Sequence, residues 1–185
     1  MDKAWEVGSH FRGIKKNGSD NEWNSIDATI IRAHRHAAGA IGGQEHEALG
    51  KSRGGFGTKI HAKVDALGYP LEFVLTGGQE SEINQAEALI QRGGCSALLA
   101  DKGYDSDAFR IYLKKQNIVP VIPGRSNRKE EVLYDSELYK ERNVVERFFS
   151  RIKEFRRIAT RYDKRAIMFM GALIVASIII WLKIL

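Results

Sequence analysis

Cysteine and proline are scarce in this chain of 185 residues, which contains one cysteine and three prolines. Because Cys95 has no second cysteine to pair with, a disulfide framework and a zinc site built from cysteines are excluded. The first residues also lack the apolar core of a signal peptide, since Asp2, Lys3 and Glu6 are charged. These absences predict a cytoplasmic globular protein.

Positive charge exceeds negative charge, with 29 Lys and Arg residues against 23 Asp and Glu residues and a net charge of +6. Such a surplus favours a polyanionic partner, with nucleic acid as the first choice and an anionic membrane surface as the second. Apolar residues make up 43% of the chain, so a long disordered or fibrous chain is excluded. The length suits one domain.

One uncharged apolar run, residues 166–182, raises the question of a membrane anchor. The run is slightly shorter than the roughly 20 apolar residues of a typical membrane-spanning helix. Basic residues flank it on both sides: Lys164, Arg165 and Lys183. We interpret it as a final helix buried on all sides in the core, because the rest of the chain needs a helix to cover a sheet.

The order of the predicted elements indicates an α/β protein with a mixed central sheet flanked by helices. Strands are predicted at 25–32, 57–64, 71–76, 97–100 and 118–122, and helices at 84–92, 106–116, 142–161 and 166–185. Between the last strand and the last two helices, residues 124–141 are charged and irregular and predict a surface excursion. Three strands followed by strand–helix–strand units is the order of the ribonuclease-H-like fold.

Three acidic residues stand out by their context: Asp27, Asp101 and Glu146. Asp27 lies inside a predicted strand, where a charge is costly unless it is exposed or paired with a cation. Asp101 directly follows a buried strand, at the carboxyl end where open α/β sheets place their ligands. On the helix predicted at 142–161, Glu146 lies opposite the apolar face, in a stripe with Arg142, Ser150, Lys153 and Arg157.

This set of residue types suits metal-dependent chemistry on a phosphodiester. Two Mg²⁺ or Mn²⁺ ions held by carboxylates can bind both the attacking and the leaving oxygen. Neighbouring cations would bind the phosphates that the acids repel. Scattered surface acids are an equally good interpretation on context alone. Asp65 is interpreted as a turn residue, and Asp105 and Asp107 as helix-capping or first-turn acids.

The spacing Tyr139-x2-Arg142-x3-Glu146-x6-Lys153 matches the Y-(2)-R-(3)-E-(6)-K signature of insertion-sequence DDE transposases. Within that superfamily the chain resembles the IS-five group. Further stretches that match the group lie at 26–29, 32–34, 50–56, 58–62, 75–79, 100–105, 143–149 and 156–162. The likeness therefore runs from Trp23 to the C-terminus.

The resemblance implies a ribonuclease-H-like DDE catalytic domain over residues 23–185, preceded by a short extension over residues 1–22. It implies that Asp27, Asp101 and Glu146 are the catalytic triad and hold two Mg²⁺ or Mn²⁺ ions, which support cleavage of transposon ends and strand transfer. The residues expected to contact DNA are Tyr139, Arg142, Lys153, Arg157 and His34. By itself, the pair of His34 and His36 could also suggest a metal site.

The resemblance also implies partners and a location. The partners are transposon ends, target DNA and further copies of the chain in a homo-oligomeric active complex, without a membrane. The location is the cytoplasm of a prokaryotic cell, in association with the nucleoid. Because family members carry an N-terminal DNA-binding region, we expect this chain to be the catalytic half. That region is then either truncated or supplied by an upstream reading frame through frameshifting.

Two other classes of function remain open at this stage. The first is a DNA-binding remnant that keeps the fold without activity. The second is a membrane-anchored basic protein, which depends on the apolar run at 166–182. Mg²⁺-dependent nicking of DNA distinguishes an active enzyme from the remnant, and fractionation with detergent tests the membrane anchor.

Overall fold

The computed structural model describes residues 5–7, 22–91 and 94–182. The strands in these ranges are β1 (Trp5–Val7), β2 (Trp23–Ala33), β3 (Gly50–Ser52), β4 (Gly55–Asp65), β5 (Pro70–Gly77), β6 (Ala97–Leu99), β7 (Val119–Val121) and β8 (Thr160–Arg161). The α-helices are α1 (Ala86–Ile90), α2 (Asp107–Lys115), α3 (Ser136–Lys140), α4 (Asn143–Ile152), α5 (Arg156–Ala159) and α6 (Ala166–Trp181). Short 3₁₀ turns include Glu82–Gln85 and Lys102–Tyr104.

One mixed sheet organises the domain, with the strand order β1-β5-β4-β2-β6-β7. β2 lies at its centre, antiparallel to β4 and parallel to β6. β3 forms a hairpin with β4, and β8 pairs in parallel with the end of β2. The antiparallel strands β2, β4 and β5 followed by the parallel strands β6 and β7 are the arrangement that the sequence predicts.

The predicted extension over residues 1–22 falls mostly outside the described residues. Residues 5–7 form β1, which pairs antiparallel with β5 at the edge of the sheet. Residue 22 directly precedes β2. The domain boundary at residue 23 stays a prediction.

The turn between β4 and β5 depends on Asp65. Its Oδ1 accepts hydrogen bonds from the backbone N–H groups of Leu67 at 3.0 Å and Tyr69 at 2.9 Å. Gly68 has a φ of +81°, a backbone conformation that residues other than glycine rarely adopt. Asp65 is therefore a turn residue, as predicted.

Helices cover both faces of the sheet. α4 and α6 pack on one face, where the buried side chains include Ile60, Phe73, Phe148 and Phe169. The opposite face is covered by α1 and α2, around Leu89, Leu98, Phe109 and Leu113. Within β2, Ile31 packs on the face covered by α4 and α6, and Ile26 packs on the face covered by α1 and α2. Because side chains alternate along a strand, the odd-numbered residues of β2, Asp27 included, lie on the α4 face.

The single helix predicted at 142–161 is wrong. α4 ends at Ile152, Phe155 is extended with a ψ of 107°, and the short α5 leads into β8. The buried Arg161 of β8 donates hydrogen bonds to Thr58 Oγ1 and to the backbone carbonyls of Ala48, Asp163 and Lys164. Pairing with β2 and these bonds require the chain to leave the helix, and an amphipathic pattern does not encode them.

α6 occupies the apolar C-terminal run and is buried along one side only. Phe169, Leu173 and Ile180 lie in the core, whereas Met168 and Val175 are 54% and 58% exposed. The prediction of a helix that covers the sheet is confirmed, but burial on all sides is wrong. In the part of the chain that the structure describes, no helix is both long and apolar enough to cross a bilayer.

The charged segment predicted at 124–141 is irregular until α3, whose N-cap is Asp135. The Asp135 carboxylate accepts the backbone N–H groups of the first turn, as a capping residue does. The sequence predicts either Asp105 or Ser106 as the cap of α2. Ser106 is the N-cap of α2, and the Asp105 carboxylate instead pairs with Arg110 and Arg128.

Candidate active site

Asp27 lies in the middle of β2 with an arginine as its counter-ion. Its Oδ2 accepts a hydrogen bond from Arg142 Nη1 at 3.0 Å, and its Oδ1 accepts one from the backbone N–H of Ala28 at 2.8 Å. The side chain is 19% exposed, so the carboxylate is partly removed from water. A charge inside a strand needs a cation, and Arg142 supplies it.

Asp101 lies close enough to Asp27 for their charges to interact. β6 pairs in parallel with β2, and this register places Leu99 opposite Ser25. Asp101 follows β6 by two residues, and its charge raises the pKa of Asp27. The Asp101 Oδ1 accepts a hydrogen bond from the backbone N–H of Gly103 at 2.7 Å.

Glu146 reaches the same region from the first turn of α4. Arg142 Nη2 donates a hydrogen bond to Glu146 Oε1, while Nη1 of the same guanidinium binds Asp27. The Glu146 side chain is 57% exposed and therefore lies at the outer edge of the site. The acid from the strand centre and the acid from the helix thus share Arg142, and the charge of Asp101 acts on Asp27.

Burial raises the pKa of Asp27 to about 6. The bond from Ala28 and the charge of Arg142 act in the opposite direction, and the charges of Asp101 and Glu82 raise the pKa further. Desolvation is the largest of these effects. A buried carboxylate beside other carboxylates gains from a bound cation, because the cation offsets both the burial and the repulsion.

The donor chemistry of the three acids fits a hard divalent cation such as Mg²⁺ or Mn²⁺, which prefers carboxylate oxygens. Among residues 5–7, 22–91 and 94–182, no three acidic, histidine or cysteine side chains lie close enough together to form a metal-binding group. The Arg142 guanidinium binds both Asp27 and Glu146 and so occupies the space between these two carboxylates. A metal held by both acids therefore requires the guanidinium to leave its position.

Three of the five residues expected to contact DNA lie beside the candidate triad. Lys153 Nζ donates a hydrogen bond to Thr29 Oγ1 at 2.6 Å, on the same face of β2 as Asp27. The ring of Tyr139 on α3 lies 5.9 Å from the Arg142 guanidinium carbon. The structure therefore brings Tyr139, Arg142 and Lys153 to the triad, although Tyr139 is on a separate helix.

The other two residues expected to contact DNA lie elsewhere. Arg157 is on α5, not on the Glu146 stripe of α4, and its Nη2 binds Asp163 Oδ1 at 2.6 Å. The shared helical stripe predicted for Arg157 is therefore wrong. His34 follows β2, and its ring stacks on Tyr162 at a centroid distance of 4.7 Å. Contacts of His34 and Arg157 with DNA stay predictions.

Tyr104 and Glu82 also lie near Asp27, and neither is among the predicted site residues. Tyr104 is fully buried, and its hydroxyl has no hydrogen-bond partner among the described residues. Burial, together with the charges of Asp27, Glu82 and Asp101, raises the pKa of Tyr104 well above its ordinary value. Glu82 pairs with Lys59 at 3.3 Å. Neither residue has a helical or strand spacing that relates it to Asp27, so only the folded chain reveals their proximity.

The chain is similar in sequence to known transposases. The profile of the family described as "Transposase DDE domain" matches residues 23–181. A protein from Brucella ovis, named as a transposase for insertion sequence element IS6501, is 39% identical over 131 residues, which cover 68% of this chain and 98% of that protein. A protein from Burkholderia cepacia, named for element IS402, is 36% identical over 122 residues, which cover 60% of this chain and 56% of that protein.

The fold is also similar to that of a solved transposase. The cryo-EM structure of the piggyBac transposase synaptic complex with hairpin DNA aligns with a TM-score of 0.55 and 13% identity, over 88% of this chain and 47% of that one. This likeness confirms the predicted ribonuclease-H-like α/β fold. The family match and the two relatives confirm the resemblance found in the sequence: the chain belongs to the DDE transposases of insertion sequences.

Proposed function

We propose that this chain cleaves transposon ends and transfers DNA strands with two Mg²⁺ or Mn²⁺ ions held by Asp27, Asp101 and Glu146. The observation that carries this proposal is that Asp27 on β2 shares Arg142 with Glu146 on α4 and lies near enough to Asp101, after β6, for their charges to interact. Membership of the DDE family supports it, because that family implies a divalent metal. The raised pKa of Asp27 supports a cation at this position.

The metal ions, when bound, would activate the attacking oxygen and stabilise the leaving oxygen of the phosphodiester. In this proposal Asp27 and Asp101 bind from the sheet, and Glu146 binds from the helix. Arg142 and Lys153 bind the phosphates on either side of the cleaved bond, because cations are needed where the acids repel the DNA backbone. Tyr139 orients the Arg142 guanidinium by lying beside it.

The same proposal includes the oligomeric state of the active form, its DNA partners and its location in the cell. The active form is a homo-oligomer that holds element ends and target DNA, in the cytoplasm and on the nucleoid. DNA as the partner is supported by the structural relative, which is described as a synaptic complex with hairpin DNA. Both Mg²⁺ and Mn²⁺ are candidates, because carboxylate oxygens are hard ligands that suit either ion.

The test is a cleavage assay on labelled duplexes that carry the ends of the element, with and without Mg²⁺. Asp27→Asn, Asp101→Asn and Glu146→Gln are each expected to lower the cleavage rate on the order of a thousandfold or more, as removal of an essential group does. Asp65→Asn is the control, because this acid is held in the β4–β5 turn and keeps an amide oxygen for Leu67 and Tyr69.

Loss of cleavage in Asp65→Asn to the same extent as in Asp101→Asn, with the fold intact by circular dichroism, would contradict the choice of triad. Duplex binding without any metal-dependent cleavage by the unmodified chain would instead favour the DNA-binding remnant.

A further inference from the structure

A buried carboxylate lies four residues after Asp101, and three arginines surround it. Asp105 is 4% exposed. Its two oxygens accept hydrogen bonds from Arg110 Nε at 2.8 Å, from Arg128 Nε and Nη2 at 2.5 and 2.9 Å, and from the backbone N–H of Arg125 at 2.8 Å. The arginines hold the pKa of Asp105 well below its ordinary value, against the effect of its burial. Asp105 is thus an ionised anchor for the segment that begins at Arg125.

The side chain of Arg125 returns to the loop that carries Asp101. Its Nε donates a hydrogen bond to the carbonyl oxygen of Lys102 at 3.1 Å, and its Nη2 donates one to the carbonyl oxygen of Gly103 at 2.7 Å. The N–H of Gly103 in turn donates to Asp101 Oδ1 at 2.7 Å. One continuous set of bonds therefore runs from Asp105 through Arg125 and Gly103 to the Asp101 carboxylate.

Close packing between Gly103 and the Asp101 side chain restricts the position of the Asp101 carboxylate. A Cβ atom at this position would lie 2.8 Å from Asp101 Oδ1, which is closer than carbon and oxygen atoms approach without a bond. Any larger residue would therefore displace the Asp101 carboxylate. A carboxylate fixed through one oxygen can bind a cation through the other, so fixing Oδ1 sets the direction of the second oxygen.

We propose that Arg125, anchored by Asp105, is a positioning residue that fixes the Asp101 carboxylate for metal binding. The inference rests on the proposed function, because it assumes that Asp101 is a metal ligand. The competing interpretation is that Arg125, which is exposed, contacts a DNA phosphate. Its hydrogen bonds to the two carbonyl groups favour the positioning role, since they orient the guanidinium towards the loop.

The test measures Mn²⁺ binding by electron paramagnetic resonance and the affinity for a random 30-base-pair duplex by fluorescence anisotropy, on the full chain. Arg125→Ala leaves the Asp105 anchor in place, because the bond from residue 125 to Asp105 comes from the backbone. We expect Mn²⁺ affinity to fall about tenfold, as happens when a residue that orients a metal ligand is lost. We expect the affinity for duplex DNA to stay unchanged. Lys129→Ala, an exposed cation on the same segment, is the matched control and should change neither Mn²⁺ binding nor the fold.

A second variant acts on Asp101 without removing a charge. Gly103→Ala is expected to reproduce the loss of Mn²⁺ affinity with Arg125 intact, because the added Cβ displaces the Asp101 carboxylate. Unchanged Mn²⁺ affinity in Arg125→Ala, with weaker duplex binding, would overturn the positioning role in favour of a phosphate contact. If the unmodified chain binds no Mn²⁺, or if Asp101→Asn binds it equally well, the proposed function itself fails. Mn²⁺ binding that needs Asp101 but not Arg125 overturns only this inference.

Discussion

Arg142 Nη1 lies 3.0 Å from Asp27 Oδ2, and this ion pair joins the residue that precedes α4 to the central strand of the sheet. The same guanidinium also binds Glu146. Without metal, a single arginine therefore offsets the charges of two acids of the candidate triad. Divalent ions and Arg142 compete for the same carboxylate oxygens in this arrangement.

Removal of the Arg142 charge is expected to strengthen metal binding. In Arg142→Gln the competitor is gone, and a unit charge a few ångströms from a metal site near the surface changes its binding free energy by about 1–4 kcal/mol, so Mn²⁺ affinity should rise about tenfold or more. Isothermal titration calorimetry without DNA measures this change. Lys115→Gln removes a charge from the last turn of α2, on the opposite face of the sheet, and serves as the control. Unchanged or weaker Mn²⁺ binding in Arg142→Gln would contradict the competition.

Asp27 is expected to make the metal-free protein less stable as the pH rises. Its pKa is about 6 in the folded chain, against an ordinary value of 3.8 for an aspartate in an unstructured chain. The folded state therefore keeps a proton that the unfolded chain has already released, and the stability from this group is lost as the pH rises from about 4 through 6. Each pH unit in this window lowers the free energy of unfolding by at most about 1.4 kcal/mol.

Asp27→Asn removes this titration. The free energy of unfolding of the variant, relative to that of the unmodified chain, should therefore be higher at pH 7 than at pH 4.5. Urea unfolding at the two pH values measures both. The difference between the two proteins isolates Asp27 from the other acids, which titrate in both. A difference that does not change with pH would show that burial does not raise this pKa.

Lys153 is expected to contact a DNA phosphate. Its bond to Thr29 holds the ammonium group on the face of β2 that carries Asp27. Because each phosphate contact contributes about 0.9 to the slope of log affinity against log salt, Lys153→Ala should make that slope shallower by about one unit. Anisotropy titrations of a labelled duplex at several salt concentrations give the slope. The exposed Lys114 on α2 lies on the other face, and Lys114→Ala should leave the slope as it is; equal slopes for all three proteins would exclude Lys153 from the interface.

The two sides of α6 are expected to differ in their contribution to stability. Leu173 is fully buried, so Leu173→Ala should lower the free energy of unfolding by about 2–5 kcal/mol. Val175 on the outward side is 58% exposed, and Val175→Ala should change it by no more than about 0.5 kcal/mol. Chemical unfolding of the two variants measures the difference. Similar losses in both would mean that the outward side is covered.

The strands of the sheet and the turn at Asp65 could be predicted from the sequence, because alternation, apolar runs and turn residues are local signals. The shared role of Asp27, Asp101 and Glu146 is predicted by the family signature and stays a prediction. The sharing of Arg142 by Asp27 and Glu146 depends on a contact across 115 residues, which no local pattern encodes. The predicted position of Arg157 on the helical stripe of Glu146 is wrong because the apolar spacing of α4 continues through Phe155 and Ile158. The backbone nevertheless leaves the helix so that β8 can pair with β2. The role of Asp105 is not predicted because two of its partners, Arg125 and Arg128, lie 20 and 23 residues away on an irregular segment.

The Arg142–Asp27 pair spans 115 residues of the chain, whereas the turn between β4 and β5 is closed by bonds within five residues. Local contacts form faster than distant ones, because less chain entropy is lost in closing them. During synthesis the hairpin of β4 and β5 leaves the ribosome well before α4, so Asp27 is present in the nascent sheet before Arg142 and Glu146 exist. In the proposed function, a nascent chain that has not yet released its last helices therefore has Asp27 and Asp101 in place without Glu146, and it cannot yet cleave DNA.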